Sequence, residues 1–119
     1  MKNSKLVNVL RTFSKSEMKE FEKLVSSPFF NRGRNYMPFL NQLKKFCPKY
    51  DDDKLTPEYI YSKIYHGKKF NKQIIWNATS SLLKMAEEFL VLKAMHKNKF
   101  TAYHLLAEEY HEKSYPVII

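Results

Sequence analysis

At 119 residues, with 44% hydrophobic and 15% aromatic side chains, the chain has the length for one buried core and is far too apolar for a disordered segment. Gly33 and Gly67 are the only glycines, which argues against hairpin-rich β architecture and excludes a glycine-rich phosphate loop; the lone Cys47 excludes an internal disulfide and a thiolate metal cluster. The net charge is +9, and no apolar run approaches the roughly 20 residues that span a bilayer, so a cytoplasmic, non-membrane protein is expected.

The first predicted helix runs from about Ser4 to Arg11, with Leu6, Val7, Leu10 and then Phe13 on one face. Ser14 and Glu17 form a Ser-x-x-Glu capping box that opens a second helix. Its apolar stripe is Met18, Phe21, Leu24 and Val25, and Pro28 is expected to end it. Residues 29–35 read as a loop whose Phe29 and Phe30 should pack under the helices. A third helix follows, N-capped by Asn35, with Pro38 in its first turn; it buries Phe39, Leu40, Leu43 and Phe46 and closes at Pro48.

Residues 47–55 are the most loop-like stretch. Thr56-Pro57-Glu58 then supplies a capping hydroxyl, a proline at the first helical position and an acid in the first turn. This fourth helix carries Ile60, Tyr61, Ile64 and Tyr65 and reaches Gly67 as its C′ residue. Asn71 caps the longest element, about residues 72–97, where Ile75, Leu82, Ala86, Phe89 and Lys93 mark one stripe that Leu83, Met85 and Leu90 widen. So broad a stripe predicts a central helix packed on two sides. Asn98-Lys99 breaks it, and a sixth helix carries Tyr103, Leu106, Ala107 and Tyr110, ending before Pro116. The expected fold is all-α: a bundle of about six helices, forming one domain over residues 1–119. The apolar Val117-Ile118-Ile119 ending suggests a fragment of a longer protein.

Charge is distributed in blocks. Residues 1–50 carry +8, residues 51–66 carry −2, residues 67–99 carry +5 and residues 100–119 carry −2. Lysine supplies 18 of the 21 positive charges, so this balance supports a polyanion-facing surface only modestly, because arginine is the preferred bidentate phosphate ligand.

Each candidate for chemistry meets a plainer alternative. His104, Glu108 and His111 share a helix face at i, i+4 and i+7 and could hold zinc, yet the same face fits ordinary His–Glu pairing. Asp51-Asp52-Asp53 lacks the glycine at position six and the glutamate at position twelve of a calcium loop. Cys47 has no base placed by its local sequence and reads as a buried structural thiol. No serine sits in a nucleophile elbow. Catalytic residues, a bound metal, a cofactor and a small-molecule substrate are therefore not expected.

The richest constellation is the fourth helix, the basic turn and the start of the fifth. A capped helix, a tight basic turn and a second helix form a helix-turn-helix-like outline. Its nucleic-acid-binding candidates are Lys68, Lys69, Lys72, Gln73, Trp76, Asn77 and Ser80. Lysines and a helix N-terminus hold phosphates, while Gln and Asn pair with adenine edges. Against this outline, the recognition helix is about twice the usual length and no β-wing follows it. The aromatics Phe29, Phe30, Tyr36, Tyr59, Tyr61, Tyr65, Phe70 and Trp76 lie near lysines and could stack bases or anchor a protein partner, but core packing is the commoner role.

The segments Phe13-Ser14-Lys15-Ser16-Glu17, Phe21, Ser27-Pro28-Phe29-Phe30-Asn31, Leu55-Thr56-Pro57-Glu58, Ser80-Ser81-Leu82-Leu83-Lys84 and Glu87-Glu88-Phe89-Leu90 resemble the N-terminal region of a group of longer, uncharacterised bacterial proteins. The resemblance implies a continuation built of stacked helical hairpins and transfers no functional residue. Two functions stand side by side: nucleic-acid binding through the basic helix pair, or a protein-interaction and capping module at the head of a helical-repeat protein.

Overall fold

The computed structural model describes residues 1–113, and the described residues are helical or irregular with no strand. Seven helices follow in order: α1 (Lys5–Arg11), α2 (Lys15–Ser26), α3 (Pro28–Asn31), α4 (Met37–Lys44), α5 (Pro57–Ile64), α6 (Lys72–Lys97) and α7 (Lys99–Glu112). The all-α class and the long helix over 72–97 match expectation. The expected stop at Pro116 and the apolar 117–119 ending lie outside the described residues.

Local capping chemistry explains where most helices start. Ser14 Oγ accepts from the Glu17 amide while the Glu17 carboxylate accepts from the Ser14 amide, which satisfies two orphan donors at once. Ser4 and Thr56 hydroxyls accept from the amides of Val7 and Tyr59. Asn71 Oδ1 accepts from the amides of Gln73 and Ile74 and opens α6.

Several local expectations are corrected. Pro28 ends α2 as expected, but its fixed φ also suits a first helical position, so 28–31 forms the short helix α3, stopped by Arg32 in the left-handed region. Phe29 does not pack under the helices; it is 85% exposed and meets Phe30 edge to face at 5.2 Å. The Asn35 side chain accepts from the Met37 amide, and Tyr36 occupies the N-cap of α4. That helix ends at Lys44, before Pro48, so Phe46 is only half-buried and Cys47 is exposed in the following turns. Tyr65 is the C-cap of α5, which moves Gly67, at φ +70°, one residue beyond the expected C′ position.

By packing, the chain resolves into two units, Met1–Glu87 and the segment from Glu88 onward. In the first, α2 packs on α3 and α4, and α4 packs on α5. Its core draws Leu6, Val7 and Leu10 from α1, Phe21 and Val25 from α2, Leu40 and Leu43 from α4, and Ile60 from α5. Ile75, Leu82, Met85 and Ala86 complete it from α6. Apart from Ala86, each such side chain contributes about 1.5–3 kcal/mol through burial.

Tyr50 is fully buried at φ +53°, and the guanidinium of Arg11 fixes this turn. Arg11 donates to the carbonyls of Lys2 (2.6 Å), Lys49 (2.9 Å) and Tyr50 (3.0 Å) and to Asn8 Oδ1 (2.5 Å). Among the described residues the Tyr50 hydroxyl has no hydrogen-bond partner, and burial, helped by the nearby Cys47 thiol, raises its pKa.

Among the described residues of the second unit Phe89 alone is buried, and none of α7 is. Leu90, expected to widen the buried stripe of the long helix, is 40% exposed, and Val91 and Leu92 are exposed beside it. Among the described residues the stripe is buried at Ile75, Leu82, Ala86 and Phe89, and Lys93 is half-buried.

Candidate nucleic-acid interface

The connection between α5 and α6, residues 65–71, is tied back to α5 by stacked rings. Tyr61 is buried, with its ring 4.7 Å from that of Tyr65 and 5.4 Å, edge to face, from that of Phe70. Gly67 supplies the left-handed residue that turns the chain, at a point where a side chain would be strained. The connection is longer than the three or four residues of a compact helix-turn-helix, and α5 packs mainly on α4.

This geometry leaves Lys68, Lys69 and Lys72 exposed at the opening of α6. Among the described residues, none of the three meets a carboxylate. Elsewhere lysines are engaged: Lys2 with Asp53 at 2.6 Å, Lys5 with Glu87 at 3.8 Å, and Lys44 with Glu22. The Lys2–Asp53 contact holds the Asp53 carboxyl below its usual pKa and Lys2 above its own, first through the hydrogen bond and then through charge attraction. With Arg11 spent on carbonyls, the first basic block is partly structural, and the unpaired charge at 68–72 is the more available part.

An open groove of about 760 Å³ lies here, lined by Lys69, Phe70, Asn71, Lys72, Gln73 and Trp76. Trp76 is 62% exposed. A flat ring left this open beside two ammonium groups is a stacking platform next to phosphate ligands. Gln73 and Asn77 share its helix face but bond to each other, Nε2 to Oδ1 at 2.9 Å, which takes one donor and one acceptor away from base edges. Ser80, on the same face, is half-buried.

Asn77 also lines a smaller depression of about 250 Å³ with Arg34, Asn35 and Tyr65. Arg34 was not among the sequence candidates. Its signal was present: two of the three arginines, Arg32 and Arg34, fall in one exposed turn. The structure thus brings Lys69, Lys72, Gln73 and Trp76 together around one groove, sets Lys68 just before it, and turns Asn77 toward Arg34.

The remaining aromatics divide: Tyr61 is buried, while Tyr36, Tyr59, Tyr65 and Phe70 are half-buried. Among the described residues no cluster of three His, Cys, Asp or Glu side chains is placed to hold a metal, and His104 Nε2 pairs with Glu108 Oε1 at 3.2 Å. No described helix is long and apolar enough to cross a membrane. Compared with known proteins, the chain matches no family model, no curated protein and no solved structure.

Proposed function

We propose that this chain is a non-enzymatic binding module that takes single-stranded nucleic acid across the α6 groove. The observation that carries the reading is the exposure of Trp76 in a groove walled by the unpaired Lys69 and Lys72. Lys68, Lys69 and Lys72 hold phosphates, a base stacks on Trp76, and Arg34 extends the cationic track on the side of Asn77. Stacking of this kind tolerates any base, and the mutual bond of Gln73 and Asn77 favours sequence-tolerant binding over base reading. Single strands fit better than a duplex because a stacked base must be free of its pair.

Fluorescence anisotropy with a labelled oligonucleotide across a salt series tests this. Three phosphate contacts on a single strand predict a log–log salt slope of about −2. Absence of binding at low salt, or affinity unchanged in a Lys68→Glu, Lys72→Glu double variant, would sink the proposal.

A second reading is favoured by a separate observation, the exposed Leu90, Val91 and Leu92 and the unburied α7. Such an open apolar surface suits a protein-interaction or capping module, in line with the helical-repeat continuation that the resemblance implies.

A further inference from the structure

The depression of about 250 Å³ next to the α6 groove has a composition of its own. Gln73 lines the groove and Asn77 lines the depression, so the bond between them marks the boundary. The turn before α4, α4 itself, the end of α5 and the start of α6 together build it. Its floor is apolar, with Phe39 and Ile75 each only 4% exposed, and Ile64 and Tyr65 wall it from α5. An apolar concavity with a few convergent polar groups is the make-up of a small-ligand site.

Those polar groups are unbalanced. Asn35 Oδ1 accepts from the Met37 amide at 3.1 Å, and Asn77 Oδ1 accepts from Gln73 Nε2 at 2.9 Å. Both amide acceptors are thus spent within the protein, while each side chain keeps its Nδ2 hydrogens. Arg34 adds five N–H donors and no acceptor. Among the described residues, no hydrogen bond engages these three donor groups. The Tyr36 hydroxyl gives its proton to Ser81 Oγ at 3.1 Å, so the phenol oxygens of Tyr36 and Tyr65 are the acceptors that remain.

A depression lined in this way selects a flat ring whose edge carries carbonyl oxygens. Among the bases, thymine and uracil alone lack an exocyclic amino group; cytosine carries one at N4, adenine at N6 and guanine at N2. An amino group set against the Asn and Arg donors would leave donor facing donor, with neither satisfied. We propose that the depression takes one thymine or uracil of a strand whose neighbouring base stacks on Trp76. Asn35 and Asn77 donate to the ring carbonyls, the ring N–H meets a phenol oxygen, and the exposed Arg34 holds the adjoining phosphate in bidentate fashion. Such a preference rests on the single-strand reading above: the groove tolerates any base, whereas the depression beside it favours one class.

Fluorescence anisotropy with oligo(dT), oligo(dU) and oligo(dC) of equal length tests it, because these pyrimidines differ chiefly by a carbonyl against an amino group. Oligo(dT) and oligo(dU) should bind about tenfold tighter than oligo(dC). Asn77→Ala should bring both down to the oligo(dC) level while the Trp76 emission is still quenched. Ala78→Leu, at a half-buried lining position, fills the depression with every donor left in place and should do the same. Equal affinity of the unaltered chain for all three strands, with the tryptophan quenched, overturns the preference and leaves the groove reading standing. No binding of any strand at low salt overturns both. A preference that survives Asn77→Ala and Ala78→Leu also overturns the assignment, since its source then lies elsewhere.

Discussion

Arg11 looks like part of the basic surface in the sequence, and the structure makes it the clasp of the first unit. Its guanidinium reaches four acceptors, three of them main-chain carbonyls at Lys2, Lys49 and Tyr50. One is the carbonyl of a residue held at positive φ with its ring fully buried. Truncation to Ala removes all four bonds and leaves part-buried carbonyls to find water. Hydrogen bonds to charged groups contribute about 1.5–3 kcal/mol each when buried, and partial exposure here lowers that, so the whole set amounts to about 3 kcal/mol.

Lysine is the sharper perturbation. It keeps the charge but concentrates its donors at one point, and it cannot span carbonyls that a planar fork reaches along separate directions. Arg11→Lys should therefore lose about 2 kcal/mol. At a urea m-value of about 1–3 kcal/mol/M, that lowers the midpoint by roughly 1 M, read by circular dichroism. An Arg11→Lys variant unfolding at the wild-type midpoint would refute the argument, since charge alone would then suffice.

Leu82→Ala, at a fully buried position of α6, should cost about 3 kcal/mol in the same urea assay, and a loss below about 1 kcal/mol would mean the site collapses or was never filled. Tyr50→Phe deletes a buried hydroxyl that has no partner among the described residues, so stability should stay level or rise by up to about 1 kcal/mol; a clear loss would reveal a hydrogen bond that the geometry does not show. The lowered pKa of Asp53 gives a stabilisation that is present above its unfolded value of about 3.9 and lost as pH falls through the lower folded value. The raised pKa of Lys2 acts at the other end, its contribution being lost as pH rises through the folded value. Both groups are exposed in effect, so Asp53→Asn should move the urea midpoint only slightly at pH 7 and not at all in strong acid, and a large shift would contradict a surface pair.

What the sequence showed well was local. Ser14 with Glu17, Thr56 before Pro57, and Asn71 each place a helix start through bonds made within three residues, and all three form. The apolar periodicity of α1, α2 and α4 likewise predicted their buried faces. Pro28 shows the limit of such signals, since a proline can close one helix and open the next. Cys47 and Phe46 were misplaced because α4 stops at Lys44, a boundary with no capping side chain to announce it. Tyr50, a buried ring on a left-handed backbone, carries no local signal, because it is fixed by Arg11 from far along the chain. Leu90 and Phe29 were read as covered because apolar residues usually are; their exposure depends on what neighbours them in space. For the candidate site, the turn and its lysines were legible. The bond between Gln73 and Asn77, which turns the reading from base edges toward stacking, emerges only once the helix is built.

Trp76 is the only tryptophan in the chain, so its fluorescence reports on the proposed groove directly. Titrating the chain with a single-stranded oligonucleotide at low salt should quench that emission, the quenching should reverse as salt is raised, and a duplex of the same length should quench less. Stacking of one base contributes about 1–3 kcal/mol, so Trp76→Ala should weaken binding by roughly 5- to 150-fold. Binding that leaves the tryptophan emission untouched, or an unchanged affinity in Trp76→Ala, would contradict the account.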